Sequence, residues 1–341
     1  MNSIDEFTIT ALLARVKQLQ GSVRDEIRNQ LRASSSIGLA QPAGIGAGDI
    51  SYQIDLPAET MIGDALRSWS QDLGGVVVIS EGTGVQTYPS GMKAEDAALR
   101  MLVDPLDGTR EIMYNKRSAW ILTGVAPNKG RDTTLSDIEV AVQTEVPILK
   151  QNIGSVLWAI KGQGAFEEQW NLDEDRLVES AKPLHPTNSE SVRHGFAIFM
   201  NCFPGVRVEI SEISENTFHA VLGPAEKGSA LVFDDQYLST AGQLYLLASG
   251  KYRFVADLRA FMDSAVQDPE KRSGLCCHPY DLSASLIATE AGVIVTGSDD
   301  REIIYPLDTE TDCSWIGYGN QAIKDEMSAA LLLQLDRAQS Q

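Results

Sequence analysis

The chain has 341 residues, long enough for about two domains, and its 43% apolar and 22% charged content is that of a folded protein, not a disordered or fibrous one. Its 28 basic residues against 47 acidic ones give a net charge of −19, which disfavours nucleic acid and anionic membranes as partners. Four cysteines (Cys202, Cys276, Cys277 and Cys313) without a Cys-x-x-Cys spacing argue against a disulfide framework or a zinc site. With no run of 18 apolar residues, and an acidic start that lacks the apolar segment of a signal peptide, a cytoplasmic location is expected.

Residues 7–33 carry Ile9, Leu12, Leu13, Val16, Leu19, Val23 and Ile27 mostly at three- and four-residue spacing, which predicts an amphipathic helix. Residues 34–50, rich in Ser, Gly and Ala, read as a loop. A second helix is expected from Pro57 to about Leu73, with Pro57 in an early helical position and Glu59 placing negative charge at the favourable end. The continuous apolar run Val76–Ile79 predicts a buried strand ending at Ser80-Glu81-Gly82. Further strands are expected at Arg100–Val103, Ala119–Ala126, Ile138–Thr144 and Ser155–Ile160, the last two as an antiparallel meander.

In the second half, Phe196–Met200 and Tyr252–Val255 read as strands, and residues 240–249 as a small-residue helix closed by Gly250. Leu282–Ala291 predicts a helix stopped by Gly292, followed by the strand Val293–Val295, and residues 322–338 predict a C-terminal helix. The division falls near residue 185: an N-terminal α+β domain over 1–185 and a C-terminal α/β domain over 186–341.

The run Asp104-Pro105-Leu106-Asp107-Gly108-Thr109 has the strongest chemical content. Three apolar residues lead to two carboxylates three positions apart, Pro105 fixes the backbone between them, and Gly108 permits a tight turn. Two carboxylates aimed at one point repel unless a cation lies between them, and oxygen donors of this kind suit Mg²⁺. Glu81 also ends a buried strand. Asp55 and Asp281 each precede a helix, where the plainest role is an N-terminal cap.

Taken together, these residues resemble a known group. Val103–Thr109 is similar to the DP(I/L)DG(T/S) signature of the lithium-sensitive phosphatase superfamily, which includes inositol monophosphatases, fructose-1,6-bisphosphatases and nucleotide 3′-phosphate phosphatases. Tyr280-Asp281-Leu282-Ser283-Ala284-Ser285, with Thr289-Glu290-Ala291-Gly292, resembles its second signature, WDxAA…EAGG. Asp55 with Glu59 resembles the upstream T-x-x-D segment, and Ser80-Glu81 the (G/S)EE strand end. Residues 236–250 resemble the fructose-bisphosphatase segment YxGSMVADVHRTLxxGG.

The resemblance implies a layered α/β/α/β/α sandwich and a phosphomonoesterase of a small sugar or inositol phosphate, with a nucleotide 3′-phosphate as the other substrate class. It implies that Glu81, Asp104, the Leu106 carbonyl, Asp107 and Asp281 hold two or three Mg²⁺ ions, with Mn²⁺ as a substitute. Thr109 with Asp55 would activate the attacking water, Asp104 would share in the catalytic centre, and Gly108, Thr109 and Asp281 would bind substrate. The expected partners are a small phosphorylated metabolite and further copies of the chain, with no nucleic acid and no membrane.

The chain departs from the pattern in four respects. Glu81-Gly82 stands where the family usually has two glutamates, Tyr280 replaces Trp, the interval from Asp281 to Ala291-Gly292 is one residue shorter than usual, and Arg110-Glu111-Ile112 follows Thr109. The missing second acid is the feature that keeps a catalytically weakened, ligand-binding protein in view. Arg110, Lys116, Arg117, Arg253 and Lys271 are candidate contacts for a second phosphate, and His278, three residues before Asp281, is a candidate neighbour of the site.

Overall fold

The computed structural model describes residues 3–34, 36–40, 42–45, 50–225, 227–265 and 272–340. In chain order the first half holds α1 (Glu6–Ala33), α2 (Ser36–Leu39), β1 (Pro42–Ile45), β2 (Ile50–Tyr52), α3 (Leu56–Trp69), β3 (Val76–Ser80), β4 (Gly84–Tyr88), β5 (Leu99–Asp107), α4 (Thr109–Met113), β6 (Ala119–Pro127), β7 (Val140–Val146), β8 (Ile153–Ile160), β9 (Ala165–Asn171) and β10 (Arg176–Pro183). The second half holds β11 (Phe196–Phe199), α5 (Arg207–Leu222), α6 (Thr240–Ala248), β12 (Tyr252–Asp257), α7 (Arg259–Ala265), α8 (Ser285–Ala291), β13 (Ile294–Thr296), β14 (Trp315–Tyr318) and α9 (Gln321–Gln339).

Two sheets organise these elements. The larger has eight strands in the order β10-β9-β8-β7-β6-β5-β3-β4, and the smaller has four in the order β11-β12-β14-β13. In the large sheet every neighbouring pair is antiparallel except β3 and β5. The parallel pair is fully buried along β3, which explains why Val76–Ser80 is a continuous apolar run rather than an alternating one. Beyond β5 the chain returns strand by strand to β10, so the antiparallel meander expected over Ile138–Ile160 extends on both sides of that segment.

Helices fill the remaining layers. α1 and α3 cover one face of the large sheet, α6 and α8 lie between the two sheets, and α5 and α9 cover the outer face of the small sheet. This is the expected α/β/α/β/α sandwich. One contiguous core joins both sheets, from Ile79, Leu102 and Trp120 to Val255 and Trp315.

α1 shows how the sequence builds a layer. The Asp5 side chain accepts the Thr8 N–H at 3.0 Å and caps the helix. Leu12, Val16, Val23 and Ile27 then bury one face. Gln20 lies in the same stripe and is buried too: its Nε2 donates to Thr123 Oγ1 at 3.0 Å and its Oε1 accepts from Thr144 Oγ1 at 2.8 Å. A polar side chain is stable there because its bonds to β6 and β7 are made.

Some expectations needed correction. The 34–50 stretch is not wholly a loop, since α2 and the two-stranded β1–β2 ribbon lie in it, with residues 35, 41 and 46–49 outside the described ones. Leu282–Ala291 is not one helix: a 3₁₀ turn, Pro279–Leu282, is followed by the separate α8. Among the described residues, no helix is long and apolar enough to cross a membrane.

Candidate active site

The ends of β3 and β5, the start of α3 and the 3₁₀ turn before α8 meet at one pocket. Asp55, Glu81, Asp104, Leu106, Asp107, Gly108, Thr109 and Asp281, all singled out in the sequence, line it. Tyr52, Glu59, Gly82, Arg110, Ser239 and Arg259 line it as well.

The centre is a trio of acids. Asp104, Asp107 and Asp281 each offer an oxygen, and those oxygens lie within 4.8 Å of one another. Each acid is held by its own local structure. The Leu106 N–H donates to Asp104 Oδ1 at 2.9 Å. The start of α6 holds Asp107, whose Oδ2 accepts from Ser239 Oγ at 2.8 Å and from the Ala241 N–H at 2.7 Å. Asp281 closes the first turn of its 3₁₀ segment by accepting the His278 N–H at 2.6 Å. The chain turns between Asp107 and Thr109 at Gly108, whose φ of +93° and close approach to Ser239 Cβ, 3.2 Å from any added Cβ, call for glycine.

Burial and mutual repulsion push these carboxyls upward. Asp104 is raised well above the ordinary carboxylate range, first by burial and then by the charges of Glu81, Asp107 and Asp281. Burial lifts Asp107 to about 6, with the α6 hydrogen bonds pulling the other way. Asp281 is pushed up to about 8 by burial and by Asp107. Glu81 stands outside the tight trio but lines the same pocket and acts on Asp104.

Beside the trio lies the Asp55–Thr109 pair. Asp55 precedes α3 but makes no side-chain cap, so the plain N-cap expectation fails. Its Oδ2 accepts the Tyr52 N–H at 2.8 Å instead, and its Oδ1 lies 3.2 Å from Thr109 Oγ1. The Thr109 hydroxyl also bonds the Leu106 carbonyl at 2.7 Å. With one hydrogen to give, it serves one of these two acceptors at a time, and the shorter contact is to the Leu106 carbonyl expected among the cation ligands.

The candidate second-phosphate contacts fare differently. Arg110 lines the pocket, near the Tyr52 ring. Arg117 is engaged elsewhere, donating to both oxygens of Asp235 at 2.7 and 3.0 Å. Lys116 faces Glu111 at 3.8 Å, and Arg253 is bound to the carbonyls of Ser191 and Arg193. Lys271 lies outside the described residues. His278 stacks on Tyr280 and faces Asp312, and is not among the lining residues.

The sequence reading missed Arg259. Its Nε donates to Asp257 Oδ1 at 2.8 Å, its Nη2 to Asp257 Oδ2, and its Nη1 to the Leu275 carbonyl at 2.9 Å. From there its charge acts on Asp107 and Asp281. The only available signal was an Asp-x-Arg step at the end of the apolar run at Tyr252, which does not reveal its distant partners.

The charge balance decides what the pocket can hold. Among its described lining residues are six carboxylates (Asp55, Glu59, Glu81, Asp104, Asp107, Asp281) and two guanidiniums (Arg110, Arg259). Arg259 is already paired with Asp257, so the lining keeps a strong surplus of negative charge. The clustered acids Asp104, Asp107 and Asp281 offer hard oxygens, which suit Mg²⁺ or Mn²⁺ better than a soft metal.

The sequence is 27% identical over 281 residues to a fructose-1,6-bisphosphatase/inositol-1-monophosphatase of Methanothermobacter thermautotrophicus, covering 82% of each chain. The fold matches Leishmania major fructose-1,6-bisphosphatase with a TM-score of 0.68 at 15% identity, over 98% of this chain and 96% of that one. It also matches the extragenic suppressor protein suhB of Bartonella henselae with a TM-score of 0.62 at 19% identity, over 94% and 98% of the two chains. No family model matches the sequence.

Proposed function

We propose that this chain, which is fructose-1,6-bisphosphatase/inositol monophosphatase-like in fold and in sequence, is a metal-dependent phosphomonoesterase acting on a small sugar or inositol phosphate. The observation that carries this reading is the meeting, in one pocket, of the Asp104–Asp107–Asp281 trio with the Asp55–Thr109 pair. A helix start, a 3₁₀ turn and a strand end do not by chance deliver their carboxylates to one point, because burying like charges together is costly without a compensating cation.

Glu81, Asp104, the Leu106 carbonyl, Asp107 and Asp281 are the groups to hold Mg²⁺, and the surplus negative charge of the lining favours two or three ions. Bound there, such ions supply positive charge to phosphoryl oxygens and lower the pKa of water. The chain's own residues do the rest by positioning. The Thr109 hydroxyl, bonded to Asp55, orients the attacking water, and Asp55 Oδ1 is the acceptor for the proton it gives up. The Gly108 and Thr109 amides, at the tight turn beside the acids, receive phosphoryl oxygens. Arg110, on the pocket wall, is the cation placed to meet the remainder of an anionic substrate.

The test is phosphate release from a panel of fructose 1,6-bisphosphate, inositol 1-phosphate and 3′-phosphoadenosine 5′-phosphate, with Mg²⁺ and with EDTA. Release from the sugar or inositol phosphates that stops in EDTA is the expected result. Turnover confined to the nucleotide would replace the substrate class, and no turnover of any member would remove the enzyme reading.

A further inference from the structure

The missing acid at position 82 has a counterpart elsewhere in the pocket. A Cβ added to Gly82 would lie 2.5 Å from Glu59 Cδ and closer still to Glu59 Oε1. No side chain fits at 82 while Glu59 keeps this position. Gly82 has no positive φ, so the backbone itself does not demand glycine there. The constraint is the carboxylate above it.

Glu59 reaches this place from α3. It follows Asp55 by four residues, one helical turn, so both side chains project from the same face of the element. It is half-buried in the pocket wall, and its carboxylate has no hydrogen-bond or ion-pair partner among the described residues. Burial first and the Asp55 charge second hold its carboxyl above the ordinary range. A half-buried, unpaired acid beside other acids is a costly arrangement unless something positive binds it. The favourable charge at the start of α3 does not account for it, since that benefit is available to an exposed side chain without burial.

We propose that Glu59, delivered from α3, supplies a further carboxylate to the cation pocket, and that the missing side chain of Gly82 makes the room that admits it. This inference rests on the reading of the pocket as a cation-dependent phosphatase centre.

Direct cation binding tests it. Mn²⁺ is titrated into metal-free full-length protein, with bound and free ion separated by electron paramagnetic resonance. The set is wild type, Glu59→Gln, the double variant Glu59→Ala/Gly82→Glu, and Asp104→Asn. Glu59→Gln removes no hydrogen bond or ion pair and relieves a repulsion with Asp55, so its thermal melt in EDTA is expected at or above that of wild type. Its weaker Mn²⁺ step is expected to fall roughly 10- to 100-fold in affinity, the range seen when a carboxylate supporting a ligand set is lost. The double variant, with the acid returned to the strand end, is expected to regain it.

If Glu59→Gln titrates as wild type while Asp104→Asn does not bind, the role of Glu59 is overturned and the pocket reading stands. If Asp104→Asn also titrates as wild type, the pocket reading itself falls. Should the double variant fail to fold, the isosteric single variant decides alone.

Discussion

Replacing Asp281 with Asn should stabilise the metal-free protein and destabilise the metal-loaded one relative to wild type. In the folded chain the Asp281 carboxyl is pushed up to about 8 by burial and by Asp107, from an ordinary value of 3.8. The sign follows from proton binding. Below about pH 4 both folded and unfolded chains hold the proton, and nothing is lost. As pH rises the unfolded chain releases it first, so stability falls progressively until about pH 8, where the folded chain releases it too. At about 1.4 kcal/mol per pH unit, that interval sets a ceiling of about 5–6 kcal/mol.

Asp281 keeps part of its surface open to the pocket, so solvent screening brings the expected cost down to about 2–3 kcal/mol. The substituted asparagine would carry no charge, and its side-chain oxygen can still accept the His278 N–H that Asp281 accepts now. In EDTA at about pH 8 the variant should therefore melt a few degrees above wild type, at roughly 2 °C per kcal/mol for a chain this large. Mg²⁺ at about 1,000 times its Kd should then raise wild type by about 4.1 kcal/mol and the variant by much less, reversing the order. Calorimetric melts at several pH values, with and without Mg²⁺, read both halves. A variant less stable than wild type in EDTA, or an equal Mg²⁺ gain in both proteins, would refute the account of the acid trio.

Three other substitutions probe the supports of the site. Thr109→Val removes the hydroxyl that joins Asp55 to the Leu106 carbonyl, and steady-state kinetics should show kcat down by roughly 10²–10⁴ with KM little changed. Gly124, on β6, lies under the turn that carries Asp281: an added Cβ would overlap the Ser283 carbonyl and come within 2.7 Å of Ile138 Cδ1. Gly124→Ala should cost about 1–3 kcal/mol in denaturant melts, and displacing the Asp281 turn by roughly 1 Å should lower kcat/KM by about 10². Arg259→Met leaves the fully buried Asp257 carboxylate without its two charged hydrogen bonds and should cost about 3–5 kcal/mol by urea unfolding.

The parts of the site legible in the sequence share one property: each is a short-range pattern. Met101–Val103 leading into Asp104 and Asp107, the run Val76–Ile79 ending at Glu81, and Asp281 ahead of a helix all show their local form in a few residues. Their convergence was supplied by the family resemblance, not by the spacing. What stayed hidden depends on long-range contacts. Ser239 holds Asp107 across 132 residues of chain, and Arg259 is fixed by Asp257 and by a carbonyl at Leu275.

The same divide runs through the fold. Strand β3 was readable because both faces are buried, whereas β10 is mostly exposed and its side chains carry no alternation. Helix α5 buries only Ile210, Ile213 and Thr217, too few to mark a periodic face among its Glu and Ser residues. Strand β14, Trp315–Tyr318, is fully buried but only four residues long, shorter than a pattern needs to declare itself. Asp55 shows the opposite error: its place before a helix suggested a cap, and the backbone there lets its side chain turn toward Thr109 instead.

The central claim is that Asp104, Asp107 and Asp281 form a cation-dependent centre that hydrolyses a phosphate monoester. Phosphate release from fructose 1,6-bisphosphate or inositol 1-phosphate by wild type and Asp104→Asn, each with Mg²⁺ and with EDTA, tests it most directly. The account predicts turnover by wild type with Mg²⁺ alone, and a loss of at least about 10³ in kcat/KM for an Asp104→Asn protein that still melts cooperatively. Equal turnover by the two proteins, or wild-type turnover undiminished in EDTA, would contradict it.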